Sequence, residues 1–536
     1  MDIVTDMEIT MGYKKALVIL PVVLVSYSVT AGKWSLTPSV NITESFTDNL
    51  FHTQHDTTST LITELSPSIE LKRTGKQLDA SLLYKLANVS YHSDSDSNDT
   101  TDYFSGKLNF KLLDEQWLIN LSADKSRTLN SLSDGINSQG NFVTPSQSST
   151  TNYTISTSFT SAIPDILLYD IDLKANKISG QSQDQFNNKK AVSSAIMLNN
   201  TRRHIKSYWN VSANRNQIFS DDEANFERQV FRQYTASMGW NFIEDYWVFL
   251  QYSEQDNDLG SNSTANIESS SYGVGLRWFP SNNIDIKLSY NKSLDDINSD
   301  FASVELTIKP SKRTQLYLTT GKRFYGDYYD VQFSYRLKRF SAVISYHEEI
   351  SSYNISQFQS NSVGNLICPA QSDFNINDCY FSSSLTPVLG PDQQLFEIDI
   401  VGAQESQSTT LDKRLTSTFT YTKRRVNLVT TFVRSIRYDL DSQGESHDNS
   451  IVINAGYRLN KRSNLSLTLS YLDSTTDKNQ ASQAKALDKT LAISYSRKLA
   501  KDAIGLISLS RYQREATGTL QSYDENRILI SFTQEF

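Results

Sequence analysis

The 536-residue chain carries 51 Lys and Arg against 59 Asp and Glu, a formal net charge of −8, with 38% apolar residues, 11% aromatic residues and only 2 cysteines. The apolar share is low for one large soluble core, yet the 28 tyrosines and the β-branched residues recur too regularly for a disordered chain. Alternation from end to end is the pattern of strands that face lipid on one side and water on the other.

At the N-terminus, Lys14 and Lys15 precede an apolar run from Ala16 to Val25, and Val29-Thr30-Ala31 supplies small residues before Gly32. Residues 1–31 therefore read as a secretory signal peptide, with Met11 the expected start because the preceding residues are acidic. The run is shorter than the roughly 20 apolar residues that span a bilayer. No other stretch is long enough, so a closed barrel is the one way to place this chain in a membrane.

The remaining chain, 32–536, divides into strands with a period of two. In Ile284 to Tyr290, the residues Ile284, Ile286, Leu288 and Tyr290 face one way while Asp285, Lys287 and Ser289 face the other. The pattern returns in Ala302 to Ile308, Val331 to Tyr335, Leu415 to Tyr421 and Leu465 to Tyr471. Two kinds of connection alternate. Tight turns are read at 73–76, 114–115, 164–165, 244–245, 280–283, 310–313, 338–339, 423–425, 460–463 and 500–502, many with Pro, Gly, Asn or Asp. Long polar loops are read at 93–100, 131–149, 256–269 and 475–483. The spacing predicts an all-β, transmembrane, antiparallel up-and-down barrel of about 24 strands, within a range of 22 to 26. Its first strand is Trp34 to Phe46, and a weak strand lies near Ala191 to Leu198. Pro38 and Pro67 fall inside the first two strands and mark expected bulges or weak places.

The longest connection, 352–410, holds Cys368 and Cys379, and its segment Leu395 to Ile400 is a candidate strand folded over or into the mouth. In an oxidising compartment the two cysteines are expected to form a disulfide; reduced, inert thiols are the alternative. The chain ends on Arg527 to Phe536, where Ile528, Ile530, Phe532 and Phe536 share the apolar face, although Gln534 interrupts it. Such an edge invites aggregation unless it is paired, so this strand is expected to close the wall against the first.

The opening strands carry a likeness. Trp34-Ser-Leu-Thr-Pro38, Glu44-Ser-Phe-Thr-Asp-Asn-Leu50 and Leu65-Ser-Pro-Ser-Ile69, followed by a tyrosine-bearing strand ending near Tyr91, resemble the outer-membrane barrels called beta-barrel porin type 2 and the related set that accompanies exopolysaccharide and PEP-CTERM loci. The resemblance implies an outer-membrane pore of a Gram-negative bacterium, a conduit for exported polysaccharide. It also implies a final strand read by the barrel assembly machinery, with outer-membrane lipid, lipopolysaccharide and periplasmic export proteins as partners.

The polar faces place Arg277, Lys287, Lys309, Arg323, Arg336 and Arg458 in the lumen, against Asp285 and Glu305. Two readings stand open: a basic funnel that draws in anionic saccharides, or lining charges that pair with one another. Catalysis is not expected, because HExxH, GxSxG and phosphate-binding glycine loops are missing from the sequence. His347-Glu348-Glu349 imitates part of a dyad, but reads better as a solvated loop edge. Asp94, Asp96 and Asn98 alternate as in a calcium loop, but Asp99 stands where glycine is needed and Ser105 where a bidentate Glu is required. No metal, cofactor or nucleic-acid partner is expected. An adhesin or assembly scaffold built on long loops, or a general diffusion porin, remains the alternative function.

Overall fold

A strand with one apolar and one polar face can bury neither edge alone, and a ring of such strands removes both edges at once. The computed structural model describes residues 32–129, 147–161, 167–180, 189–200, 206–220, 228–258, 267–295, 299–323, 325–352, 357–369, 380–382, 393–404, 409–439, 444–476, 483–518 and 521–536. Residues 1–31, read from the sequence as a signal peptide, the turn read at 164–165 and the central parts of the loops read at 131–149, 256–269 and 475–483 lie outside these residues.

Seventeen strands follow in order: β1 (Lys33–Thr47), β2 (Thr60–Thr74), β3 (Leu78–Tyr91), β4 (Asp99–Leu112), β5 (Trp117–Leu129), β6 (Gln147–Thr160), β7 (Leu168–Gly180), β8 (Lys189–Asn199), β9 (Ser207–Ser220), β10 (Arg228–Ile243), β11 (Tyr246–Asp258), β12 (Ile267–Ser281), β13 (Ile284–Ser293), β14 (Phe301–Ser311), β15 (Thr314–Arg323), β16 (Gly326–Arg336) and β17 (Phe340–Ser352). The long connection contributes β18 (Gln357–Pro369), β19 (Tyr380–Ser382) and β20 (Gln393–Gln404), an antiparallel sheet separate from the wall. Then come β21 (Thr409–Lys423), β22 (Val426–Asp439), β23 (Glu445–Asn460), β24 (Ser463–Thr476), β25 (Ala484–Ala500), β26 (Ala503–Thr517) and β27 (Tyr523–Glu535). Leaving out the small sheet, 24 strands pair antiparallel with their neighbours, and β27 returns to β1. The expected barrel, strand number and closure are those found.

The even count puts Lys33 and Glu535 at one rim, and the described turns among those read from the sequence all lie at that rim. Several use left-handed backbone: Asp245 has φ 70°, Arg424 φ 40°, and Leu113, Asp114 and Glu115 have φ 51°, 53° and 69°. Turns with positive φ match the twist of the strands they join. The opposite rim carries the longer connections, here called the loop rim.

Both prolines behave more mildly than expected. A strand residue points its N–H and C=O at the same neighbour. Pro38 faces β27 one step beyond the last ladder pair, Ser39 with Glu535, and its carbonyl accepts the Phe536 N–H at 2.9 Å. Its missing donor therefore falls where the partner strand ends, and the β1–β2 register passes Pro38 without a shift. Pro67 leaves a gap opposite Leu86 and Ala87, after which the β2–β3 register resumes unchanged. Neither makes a bulge.

The small sheet bears on the opening of the barrel. It is inserted between β17 and β21, yet the backbone of β18 comes within 8 Å of β5, twelve strands round a ring of 24. The insertion thus reaches from one wall to the wall opposite.

Candidate functional site

The two faces of the wall have different chemistry. Outward, β11 shows Tyr246, Val248, Leu250 and Tyr252, and β12 shows Trp278, Leu276, Val274 and Tyr272, all exposed. Aliphatic residues therefore lie between an aromatic row at the turn rim and a tyrosine row nearer the loop rim. At the turn rim Tyr246 and Trp278 stack with centroids 5.9 Å apart. Trp240 and Tyr234 of β10 repeat the arrangement.

Inward, part of the wall is upholstered by flattened side chains. Gly239, Gly273 and Gly275 point inward, and a Cβ on each would overlap the Tyr208 ring, the Asn291 amide and the Phe249 ring, respectively. Glycine there lets large neighbours lie against the backbone, which is why Phe249 is 2% exposed although it faces the lumen.

Beside these residues a cavity of about 1460 Å³ runs along β8 to β16, from Glu244, Asp245 and Asn282 at the turn rim to Lys322 and Arg323 near the loop rim. Aromatic rings (Tyr208, Trp247, Tyr317, Tyr328) alternate on its wall with amides and hydroxyls such as Asn210, Gln233, Gln251 and Ser303. Four of the six basic residues expected in the lumen, Arg277, Lys287, Lys309 and Arg323, line it. Arg277 grips Asp285 with two bonds, Nε to Oδ1 at 2.9 Å and a second at 2.5 Å, and its guanidinium lies 5.0 Å from the centre of the Tyr208 ring and 4.6 Å from that of Phe279. Lys287 Nζ meets Glu305 Oε2 at 2.5 Å. Arg323 sits 3.7 Å above the Tyr328 ring, and neither it nor Lys309 has an ion pair among the described residues. Arg336 and Arg458 stand at the turn rim, beyond the cavity, with Arg458 donating to the Arg424 carbonyl at 3.5 Å.

The cavity wall thus holds six basic residues (Lys206, Arg277, Lys287, Lys309, Lys322, Arg323) and four acidic ones (Glu244, Asp245, Asp285, Glu305). Among the described residues, paired and unpaired basic side chains lie side by side on this wall. Cross-strand pairing neutralises Arg277 and Lys287, and an excess of two positive charges remains.

A second constellation was not singled out as a site from the sequence. At the loop rim the connection after β1 folds inward. Leu50, 2% exposed, packs on Ile62, Val89, Tyr91 and Leu529, the inward residues of β2, β3 and β27. Next to it Glu525 is almost wholly buried. It accepts Thr47 Oγ1 at 2.6 Å and Arg527 Nε at 2.8 Å, and its second oxygen lies 3.0 Å from His52 Nε2. His52 in turn stacks on Tyr523 with centroids 4.6 Å apart. Asp48 takes the backbone and side-chain N–H groups of Asn526, each at 2.7 Å, and Asn49 Nδ2 donates to the Asp524 carbonyl at 2.9 Å. The Thr47-Asp48-Asn49 stretch, noticed only as a likeness, is the hinge of this latch. A physical signal was present in Glu525 and Arg527, two charges on the same face of the strand as the apolar Leu529.

Elsewhere the closing-strand residues Ile528, Ile530, Phe532 and Phe536 are exposed on the outward face. The seam they form pairs over nine positions, Ser39 to Thr47, against fifteen between β1 and β2. Cys379 lies outside the described residues, so the Cys368–Cys379 bridge stays an expectation. His347 and Glu348 project to opposite faces: His347 Nδ1 is 3.2 Å from Asp330 Oδ2 inside, and Glu348 accepts the Tyr346 hydroxyl at 2.6 Å outside. The Asp94 loop makes a short 3-10 turn, Ser95–Ser97, in which Ser97 bonds Asp94. Among the described residues, no group of three or more His, Cys, Asp or Glu is placed to hold a metal.

No family model matches the chain, and no curated protein does. Among solved structures it is similar to the siderophore receptor PirA from Pseudomonas aeruginosa, at 8% identity and a TM-score of 0.40, over 95% of this chain and 81% of that one. The FrpB iron transporter (F5-1 variant) from Neisseria meningitidis matches at 10% identity and a TM-score of 0.44, over 95% and 83%. A point mutant of the ferric enterobactin receptor PfeA from Pseudomonas aeruginosa, in complex with enterobactin, matches at 8% identity and a TM-score of 0.44, over 93% and 81%.

Proposed function

We propose that the protein is an outer-membrane channel for saccharides, with exported polysaccharide the intended cargo and anionic saccharides favoured over cationic ones. The observation that carries this reading is the two-sided wall: an aliphatic belt between aromatic rows outside, and a polar cavity running from rim to rim inside. The outer pattern suits a bilayer and its two interfaces. The inner one suits a polyhydroxylated solute, since ring faces take the C–H surface of a sugar while amides and hydroxyls exchange bonds with its hydroxyls. Two excess positive charges bias the pathway toward anions. The likeness around Thr47-Asp48-Asn49 to beta-barrel porin type 2 supports the same class.

The sheet of β18, β19 and β20 is the restriction, because an unobstructed barrel of 24 strands is wide and this insertion reaches the far wall. Conductance in planar bilayers tests the reading. Wild-type channels should be narrow and weakly anion-selective, and removal of residues 353–408 should enlarge the conductance. Cation selectivity at neutral pH would refute the charge argument, and the absence of conductance in both proteins would refute the channel. Because the insertion is also the longest connection in the chain, a loop-based adhesin is the second reading. Loss of cell-surface binding on the same deletion, with conductance unchanged, would favour it.

A further inference from the structure

Outside the barrel, β23 to β26 form a groove of about 380 Å³ that is separate from the inner cavity. Two cross-strand rows build it. One runs Ile453, Leu469, Leu491, Arg511, and the next runs Ile451, Tyr471, Lys489, Gln513. The first row stays aliphatic through Leu491 on β25 and ends on Arg511 of β26, while the second turns from Ile451 and Tyr471 to Lys489 on β25 and Gln513 on β26, so the groove has an aliphatic end and a charged end a few strand spacings apart. Lys489 Nζ meets Glu515 Oε1 at 2.8 Å, and Gln513 Nε2 reaches the same oxygen at 3.3 Å. Arg511 is exposed and has no ion pair among the described residues.

A guanidinium on the lipid-facing side of a barrel is costly unless an anion meets it, and the cost falls toward the interface. Arg511 and Lys489 stand where the aliphatic belt of β25 and β26 ends: Ile493 and Leu491 lie below Lys489, and Ile507 and Leu509 below Arg511. We infer that this groove binds a phosphorylated glycolipid of the outer leaflet, its phosphate on Arg511 and Lys489 and an acyl chain against Ile451, Ile453, Leu469 and Leu491. Free phosphate has no use for the aliphatic end, and an uncharged lipid leaves Arg511 unmatched. The assignment rests on the membrane reading of the outer face.

The test uses the full-length protein in nanodiscs containing lipid A, either diphosphorylated or enzymatically dephosphorylated, with the retained lipid counted by native mass spectrometry. Wild type should retain the phosphorylated form about tenfold over the other. Arg511→Glu should abolish that preference, Arg511→Lys should keep most of it, and Lys489→Ala should lower it about fivefold, the scale of one basic residue beside an anionic surface. Equal retention of the two lipids by wild type, or full preference in the Arg511→Glu protein, would overturn the inference. So would displacement by millimolar inorganic phosphate, since that leaves the acyl chain without a role. Quenching of the outward Trp240 and Trp278 by brominated acyl chains reports insertion independently. Missing quenching sinks the membrane reading itself, whereas quenching without lipid discrimination sinks only the groove.

Discussion

Replacing Glu525 by Gln probes the seam most directly. The substitution keeps the shape and removes the charge that Thr47, His52 and Arg527 converge on. Arg527, whose side chain is 3% exposed, then keeps its charge without the carboxylate that now lies 2.6 Å away. Removing one partner of a buried pair costs about 3–5 kcal/mol, because the remaining ion stays desolvated. Hydrogen bonds to a charged group, worth about 1.5–3 kcal/mol each, give a loss of the same order. Equilibrium unfolding in urea from lipid vesicles, followed by tryptophan fluorescence, measures the difference. The double substitution Glu525→Leu with Arg527→Met replaces both ions by apolar groups of similar size and should recover most of the loss. A Glu525→Gln protein within about 0.5 kcal/mol of wild type, the scatter of neutral surface changes, would refute the reasoning. A double variant less stable than the Glu525→Gln protein would do the same, by showing that the pair itself is not what the single change disrupts.

Three further outcomes follow from the inner wall and the closing strand. Gly275→Val should destabilise the barrel by about 3 kcal/mol, the upper range for overpacking, because the added carbons overlap the Phe249 ring and the Leu288 carbonyl; an unchanged urea midpoint contradicts the flattened-wall description. Asp285→Asn and Glu305→Gln together release Arg277 and Lys287. The anion-to-cation permeability ratio, from reversal potentials in a KCl gradient, should rise about twofold or more at 0.1 M and lose that gain near 1 M, where the Debye length is about 3 Å. A fall in the ratio would show that these pairs do not border the ion path. Deleting Phe536 removes an exposed ring and the bond to the Pro38 carbonyl but leaves the nine seam pairs. The folded, heat-modifiable fraction in cells should drop while purified, folded protein loses no more than about 1 kcal/mol. Equal assembly with and without the ring would remove its role as an assembly signal.

Much of the fold was legible because alternation is a local signal. Ile284, Ile286, Leu288 and Tyr290 announce an outward face without reference to any other strand, and Pro280-Ser-Asn-Asn283 announces the turn before them. The weak strand read near Ala191 to Leu198 is β8, Lys189–Asn199. Pro38 and Pro67 misled, because the cost of a proline depends on which neighbour its nitrogen faces, and a single strand carries no such information. The site was legible to the extent that a polar face is. Arg277 and Lys287 could be placed inside, but the partners that neutralise them were recognised only as nearby charges until the register put Glu305 directly across from Lys287 and Asp285 diagonally across from Arg277. The inward glycines carried no visible purpose until Tyr208, Phe249 and Asn291 were seen lying on them.

By itself, then, the sequence determined a closed antiparallel barrel of about 24 strands, both ends at one rim, and the side of each strand that faces outward. These are consequences of a period of two, of turn chemistry and of an edge that must be paired. The tertiary structure alone decided which charges cancel, that the connection after β1 turns inward to set His52 on Glu525 and Leu50 on Leu529, and that the long insertion spans to the wall opposite. The charge pairs depend on the register of neighbouring strands, whereas the lock at Glu525 depends on residues far apart in the chain being brought within a few ångströms, as Thr47 and Glu525 are at 2.6 Å. Only the closing of the ring fixes such distances.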